Sequence, residues 1–296
     1  MAEVLAKIAR DRWHHAGGKP MEALPAPLHS CWPDDLPAHF ENVDMGVSRS
    51  VPTMGEQEPI IEIERLFLDQ IARAKRCIYA ESQYFASRRI AEAIAKRLGE
   101  EDGPEVVVIN PLTAQGWLEP LAMDTARARL HEALHRRDLH GRFRIYHPFT
   151  DGGEAIYVHA KILIVDDAIL RIGSSNMNNR SLRLDTECDV TIDAEMAGDH
   201  VRSTISAIRD DLLAEQLGVE PSVVTASIAE TGSLIATIEA LRGSGRTLRP
   251  YETPDLSDIE KWLADNEVLD PEGPDQMFEA MNRRGLLRRL KGYLHR

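Results

Sequence analysis

The stretch YVHAKILIVDDAILRIGSSNMNNRSLRLDTECDV, residues 157–190, decides the fold. Two apolar runs within it, 157–165 and 169–172, predict two strands joined by a tight turn. Apolar residues on both faces of the first run indicate a central, buried strand. Because residues two apart in a strand point to the same face, we expect His159 and Lys161 to project side by side.

This pair of side chains predicts an anionic ligand. A buried lysine beside a buried histidine is costly unless an anion meets them, and a phosphodiester is such an anion. An ammonium suits a phosphoryl oxygen, and an imidazole can attack phosphorus or protonate a leaving oxygen. Downstream, Gly173 lets the backbone approach a ligand, while Ser174 and Asn176 add neutral donors.

Two carboxylates and a polar pair complete the candidate residues. Glu187 opens a further predicted strand and could hold the imidazole Nδ1–H, as carboxylates do in catalytic triads. Asp166 lies at the predicted turn, where a structural role is favoured over proton transfer. For Gln83 and Tyr84, packing and pocket-lining roles are equally supported. This chemistry requires no metal and no cofactor.

The pattern resembles the signature of the phospholipase D superfamily, through His159-x-Lys161-x4-Asp166, Gly173-Ser174-x-Asn176 and Glu187. Upstream, IYAESQYF at residues 78–85 resembles a segment that precedes the second signature in the phospholipase D/transphosphatidylase branch. The resemblance covers roughly residues 56–195.

The resemblance implies a two-step mechanism without metal. One signature histidine attacks phosphorus and forms a phosphohistidine, and the other protonates the leaving alcohol and then activates water or a second alcohol. It assigns catalytic roles to His159, Lys161, Asp166 and Glu187, and it favours His159 as the acid/base partner over the nucleophile. It assigns the substrate phosphate to Lys161, Ser174 and Asn176.

The family needs two facing signatures, and no other histidine of this chain stands in a His-x-Lys pair. The chain is therefore expected to supply one half-site. The second comes either from a homodimer partner or from a missing N-terminal region. The latter is favoured, because RDRW at residues 10–13 resembles the piece that follows the first signature, and a proline-rich linker comes after it.

The expected fold class is α/β, a mixed sheet flanked by helices in one half of a phospholipase D-like sandwich, plus a helical C-terminal tail. The expected domains are a linker or remnant of a preceding half at 1–55, a catalytic half-domain at 56–195 and a helical extension at 196–296. The last two helices are expected around 257–266 and 275–294. The final one has a basic amphipathic pattern that suits either an anionic membrane or packing on the body.

The composition limits the kinds of partner that the chain is expected to bind. A net charge of −13 and a pI near 5.3 disfavour nucleic acid, because phosphate contacts dominate that affinity. No window reaches 18 consecutive apolar residues, so a lipid would be reached from the membrane surface. The three cysteines match no disulfide framework, which predicts a cytoplasmic location, with a peripheral membrane position as an option.

These observations favour a phospholipase D that hydrolyses or transphosphatidylates glycerophospholipids. Three alternatives stay open: a cardiolipin synthase-like phosphatidyltransferase, a single-motif nuclease acting as a homodimer, and an inactive fragment.

Overall fold

The computed structural model describes residues 2–21, 32–53, 58–115, 120–257 and Asp270. Its strands are β1 (Gly46–Val51), β2 (Ile60–Ile61), β3 (Cys77–Ser82), β4 (Glu105–Ile109), β5 (Phe143–Phe149), β6 (Lys161–Val165), β7 (Ile169–Gly173), β8 (Glu187–Asp193) and β9 (Thr247–Pro250). Its helices are α1 (Ala2–His15), α2 (Glu62–Arg73), α3 (Arg88–Leu98), α4 (Thr125–Arg137), α5 (Ala194–Ala197), α6 (Arg202–Leu217), α7 (Pro221–Thr231) and α8 (Leu234–Leu241). Short π-helical turns occupy Pro120–Asp124 and Arg180–Leu184, and a 3-10 turn occupies Asp199–Val201.

The strands of the described chain form one mixed sheet in the order β2-β1-β8-β7-β6-β3-β4-β5-β9. Strands β3, β4 and β5 are parallel, and the other neighbouring pairs are antiparallel. Strand β6 lies between β7 and β3, with Lys161 opposite Ser82. The expected central position of this strand is therefore confirmed.

Helices cover both faces of the sheet because its strands are apolar on both sides. Ile78 and Ala80 of β3 face one core, into which α2, α3 and α4 pack. Tyr79 of the same strand faces a second core, which α6, α7 and α8 cover. Alternating residues of one strand thus enter different cores, as the pleat requires. The predicted α/β sandwich is confirmed.

The strand that carries the signature is shorter than predicted. The expected strand at 157–165 begins only at Lys161, and residues 157–160 have no regular structure. His159 therefore precedes the strand, and the argument from strand periodicity that paired it with Lys161 does not apply.

The expected boundaries at residues 55 and 195 cut through this sheet. Strand β1 pairs with β8 although it lies within the segment expected to be a linker, and α1 is helical. Helices α6, α7 and α8 cover one face of the sheet, and β9 pairs with β5. The two helices expected around 257–266 and 275–294 lie outside the described residues, except for Ser257.

One end of the sheet gathers the chain segments of the signature. Strands β3 and β7 finish at this end, and β6 and β8 begin there. In the described part of the chain, no helix is both long and apolar enough to cross a membrane.

Candidate functional site

Lys161, the first residue of β6, is a buried cation among neutral oxygens. Its residue is only 9% exposed, and its Nζ donates to Gln83 Oε1 at 3.1 Å and to the His159 carbonyl at 2.7 Å. Within the described ranges, no carboxylate lies at ion-pair distance from it. Burial lowers the pKa of Lys161 to about 8, against the opposing charge of Glu187.

Asn176 aims its amide at the same oxygen. The Asn176 Nδ2 donates to Gln83 Oε1 at 3.3 Å, and the side chain is buried. Its Oδ1 has no hydrogen-bond partner among the described residues. Two donors, one of them charged, therefore converge on a single neutral oxygen, as donors in an oxyanion site do.

Gln83 is the centre of this cluster. While its Oε1 accepts from Lys161 and Asn176, its Nε2 donates to the hydroxyls of Tyr84 at 3.0 Å and Tyr157 at 2.7 Å. Sequence reasoning left Gln83 undecided between packing and pocket. The sequence feature that could have identified Gln83 as a site residue is its position directly after the buried strand β3.

His159 is exposed, contrary to the expectation that it is buried. Its ring stacks near Tyr157, with centroids 6.5 Å apart and planes inclined by 21°. Partial burial, and then the charge of Lys161, lower the pKa of His159. The residue is exposed, and its ring nitrogens make no hydrogen bond among the described residues.

Glu187 accepts a hydrogen bond from Ser174 and makes none with the imidazole of His159. Ser174 Oγ donates to Glu187 Oε2 at 2.5 Å and accepts from the Cys188 backbone N–H at 3.1 Å. Burial raises the pKa of Glu187, and hydrogen bonds from Ser174 and Ser181 oppose the rise. The expected contact between Glu187 and His159 is not formed in the described structure, and the Ser174 hydroxyl proton is directed at the carboxylate.

Asp166 lies apart from the other candidates. It follows the last residue of β6, five residues from Lys161, so the two are roughly 16 Å apart at about 3.3 Å per strand residue. Its carboxylate accepts from the backbone N–H groups of Lys75, Arg76 and Cys77 at 2.6, 2.7 and 2.9 Å. The Asp166 carboxylate therefore connects the turn between β6 and β7 to the turn at residues 75–77. It lies away from the candidate phosphate-binding residues.

A buried ionic cluster that sequence reasoning missed supports the loop between Gly173 and Asn176. Arg171 and Asp189, 1% and 0% exposed, form an ion pair beneath it. Ser175 Oγ donates to Asp189 at 2.5 Å and accepts from Arg171 at 2.7 Å, and the Ser175 N–H donates to Asp189 at 3.2 Å. Arg171 also stacks on Phe67, 3.7 Å from the ring centre.

The structure therefore brings together Lys161, Asn176 and Gln83, with His159 beside them and the Ser174–Glu187 pair on the adjoining strands. In the described part of the chain, no group of three or more His, Cys, Asp or Glu side chains is arranged to hold a metal ion.

Comparison with known proteins gives a family match across this region. Residues 67–209 match the family described as "Cardiolipin synthase, PLD-like domain". Phospholipase D zeta 2 of Arabidopsis thaliana is 31% identical over 182 residues, which is 47% of this chain and 17% of that protein. The minor cardiolipin synthase ClsB of Bacillus subtilis is 30% identical over 150 residues, 48% of this chain and 32% of that protein.

A further relative and a solved structure extend the comparison. Cardiolipin synthase A of Pseudomonas putida is 28% identical over 201 residues, 66% of this chain and 37% of that protein. The matched region thus spans well under half the length of these relatives. The crystal structure of Nuc from Salmonella typhimurium, a phospholipase D family member, aligns with a TM-score of 0.37 at 18% identity, over 56% of this chain and 92% of that one.

Proposed function

Because this chain belongs to the phospholipase D superfamily, we propose that it supplies one half-site of a phosphodiesterase that acts on glycerophospholipids. The phosphatidyl group would pass to water or to a second alcohol. The identity of the whole protein's substrate is part of this proposal, since the match covers only a fraction of each relative.

The observation that carries the proposal is the convergence of Lys161 Nζ and Asn176 Nδ2 on Gln83 Oε1. In this reasoning the amide oxygen stands in for a non-bridging oxygen of the substrate phosphate. A phosphodiester would give the buried ammonium the negative charge that no described carboxylate provides within ion-pair distance. Gln83 would then turn aside or share its donors with the substrate.

The histidine chemistry follows from the position of His159. Its lowered pKa favours the neutral imidazole in the ligand-free site, the form that takes a proton from water or an alcohol. A bound phosphate anion would raise that pKa and favour the imidazolium, which can protonate the departing alkoxide. The P–O bond to the alcohol breaks as the opposite imidazole bonds to phosphorus, and hydrolysis of that phosphohistidine then restores both groups.

The second imidazole has to come from outside the described site, because no other described histidine joins this cluster. The exposed face of His159 is where it would approach. This imidazole could come from a second copy of the chain or from a preceding region of a longer protein. An activity assay at increasing chain concentration distinguishes the two sources.

Binding of dimethyl phosphate, followed by phosphorus NMR, tests the half-site without requiring turnover. The unaltered chain should bind this monoanionic phosphodiester, and Lys161→Met should abolish binding. Lys96→Met is the matched control, because Lys96 is an exposed lysine on α3 and its loss should leave binding unchanged. Equal binding by the Lys161→Met variant would remove the basis of the proposal.

Turnover is tested by headgroup release from phospholipid vesicles. Release that rises with the square of the chain concentration, and that His159→Asn abolishes, supports a homodimeric enzyme. Release that His159→Asn leaves unchanged contradicts the assignment of His159.

Phosphatidyl transfer to a lipid hydroxyl is the second candidate, favoured by the description of the matched family and the names of two relatives. Vesicles of phosphatidylglycerol separate the two reactions. A transferase yields cardiolipin and glycerol, whereas a hydrolase yields phosphatidic acid and glycerol.

A further inference from the structure

A cavity of about 590 Å³ lies at the carboxyl ends of the parallel strands β4 and β5. His147 and Phe149 of β5 line it, together with Arg249 of β9 and Tyr251, which follows that strand. In α/β proteins, ligands commonly bind in the crevice outside the carboxyl ends of parallel strands. The cavity is therefore a candidate for a second binding site.

The cavity lies on the same face of the sheet as Lys161 but at a distance from it. Leu163 and Ile145, two residues along from Lys161 and His147, both face the first core, so the latter two side chains also project from that face. Arg249 lies on β9, four strands away from β6 in the sheet, which is roughly 19 Å at about 4.8 Å per strand. None of the residues that surround Lys161 lines the cavity. The two places can therefore be tested separately.

Arg249 supplies a guanidinium without an anionic partner. The residue is exposed, and it makes no ion pair with any described residue. Its guanidinium lies over the Phe149 ring, 3.8 Å from the ring centre, and this stacking restricts the orientation of the planar fork. Glu252 also lines the cavity but does not pair with Arg249 in the described structure. The other arginines of the cavity are already in ion pairs, Arg127 with Asp124 at 3.1 Å and Arg242 with Glu239 at 2.7 Å.

His147 supplies a buried acceptor. The residue is 2% exposed, and its Nδ1 lies 2.9 Å from the Asn110 carbonyl oxygen, which can only accept a hydrogen bond. Burial lowers the pKa of His147 to about 4, against the effect of that carbonyl, so the ring is neutral at neutral pH. Nδ1 therefore carries the proton, and Nε2 is an acceptor. Within the described ranges Nε2 has no hydrogen-bond partner, which is costly for a buried acceptor unless a donor reaches it.

We propose that this cavity binds a small phosphate ester that carries a hydroxyl group. Two phosphate oxygens would accept hydrogen bonds from the fork of Arg249, because a guanidinium matches the geometry of a phosphate. The hydroxyl would donate to His147 Nε2 and so provide the partner that this acceptor lacks. The ligand is thus defined by an anionic end and a donor end.

The spacing of the two residues sets the size of the ligand. His147 and Arg249 are directly opposite each other in the pair of β5 and β9, so their Cα atoms are about 5 Å apart. A three-carbon ester such as phosphoglycerol can place its phosphate and a hydroxyl at the two side chains. Phosphoglycerol can be a free ester or a lipid headgroup, and the two sources share this chemistry. The proposal rests on the cavity and its two residues, and it does not require the phosphodiesterase activity proposed above.

Isothermal titration calorimetry of the full chain with glycerol 3-phosphate tests the anionic end. We expect Arg249→Leu to raise the dissociation constant at least about tenfold. The matched control is Arg65→Leu, because Arg65 is an exposed arginine of α2 that does not line the cavity, and this variant should bind like the unaltered chain. Binding should persist in Lys161→Met, the variant in which the proposed half-site loses dimethyl phosphate, so the two proposals can fail independently.

Methyl phosphate, which lacks the carbon-bound hydroxyl, tests the donor end. It should bind several-fold more weakly than glycerol 3-phosphate to the unaltered chain, and with equal affinity to His147→Leu, in which the acceptor is absent. A purely structural role of His147 would weaken both ligands to the same degree. Circular dichroism verifies that each variant is folded, and Arg249→Leu, a substitution at an exposed position, tests the site by itself if His147→Leu does not fold.

Vesicles of phosphatidylglycerol distinguish the two sources of the ligand. Binding of free glycerol 3-phosphate that depends on Arg249 identifies a soluble ester, and binding to vesicles alone that depends on Arg249 identifies a lipid headgroup. The proposal is overturned if neither probe binds, or if Arg249→Leu leaves the affinity for both probes unchanged.

Discussion

Gln83 Oε1 accepts a hydrogen bond of 3.1 Å from Lys161 Nζ. A neutral oxygen therefore faces a buried ammonium, and no described carboxylate lies within ion-pair distance of that ammonium. Under the proposed function, the polarity of residue 83 should therefore control anion binding.

Replacing Gln83 by Glu should weaken phosphodiester binding. A carboxylate at this position would form an ion pair with Lys161 and compete with the substrate. We expect the dissociation constant for dimethyl phosphate to rise about tenfold or more, equivalent to roughly 1.4 kcal/mol. The measurement is an NMR titration, with Gln83→Met as the size-matched control expected to stay within a few-fold of the unaltered chain. A Gln83→Glu variant that binds as tightly as the unaltered chain contradicts this account.

Anion binding should weaken as the pH rises through about 8. Burial lowers the pKa of Lys161 to about 8, so the ammonium is present below this pH and is lost above it. Dimethyl phosphate is a suitable probe because its charge is constant over this range. Bound anion raises the pKa of Lys161, so the decline should begin at higher pH as ligand concentration increases. Lys161→Arg should flatten the profile, and an unaltered chain with no decline around this pH would refute the assignment.

Gly173→Ala should destabilise the protein and disturb the loop that carries Asn176. A Cβ on Gly173 would lie 2.6 Å from Asp189 Cα, and Asp189 is fully buried in its ion pair with Arg171. Overpacking of this kind typically costs about 1–3 kcal/mol. Urea unfolding measures the loss. Gly99→Ala is the control, since its added Cβ would make only ordinary contacts at 3.6 Å, and an equal effect of both substitutions would argue against a specific clash.

Asp166→Ala should lower stability without altering phosphodiester affinity. It removes the acceptor of three backbone N–H groups and puts alanine at a φ of +53°, a backbone region that alanine disfavours. We expect a loss of about 2 kcal/mol in the free energy of unfolding. Asp166→Asn, which keeps an acceptor and tolerates this backbone, should lose less. A folded Asp166→Ala variant that no longer binds dimethyl phosphate would place Asp166 within the site after all.

The sheet was predictable from sequence because its central strands are apolar on both faces. The runs at β3, β4, β6 and β7 stand out from their surroundings, and the turn between β6 and β7 is marked by Asp166 and Asp167. The strands at the margins were not predictable in the same way. Strand β1, GVSRSV, has no apolar run, and it is defined by pairing with β8, a partner more than a hundred residues away.

The site was predictable as a set of residues, but not as a set of contacts. Lys161 and Asn176 could be placed together through the signature, yet their common partner Gln83 comes from a distant segment, directly after β3. The expected Glu187–His159 contact is not formed among the described residues, and Glu187 accepts a hydrogen bond from Ser174, which directly follows the neighbouring strand β7. Distances between strand ends depend on register, which periodicity alone does not determine.

The position of Asp166 has a consequence for how this protein tolerates change. The Asp166 carboxylate, which ties two turns together, lies at one end of the sheet, and the Asn176 amide and the Lys161 ammonium lie at the other, separated by the length of a strand. Because the two sets of residues lie at opposite ends of the sheet, residues at the Lys161 end can vary while those at the Asp166 end continue to stabilise the fold. Sequence variation around Gln83 and Tyr157 should therefore accumulate without penalty to folding, and variation around Lys75 and Asp166 should not.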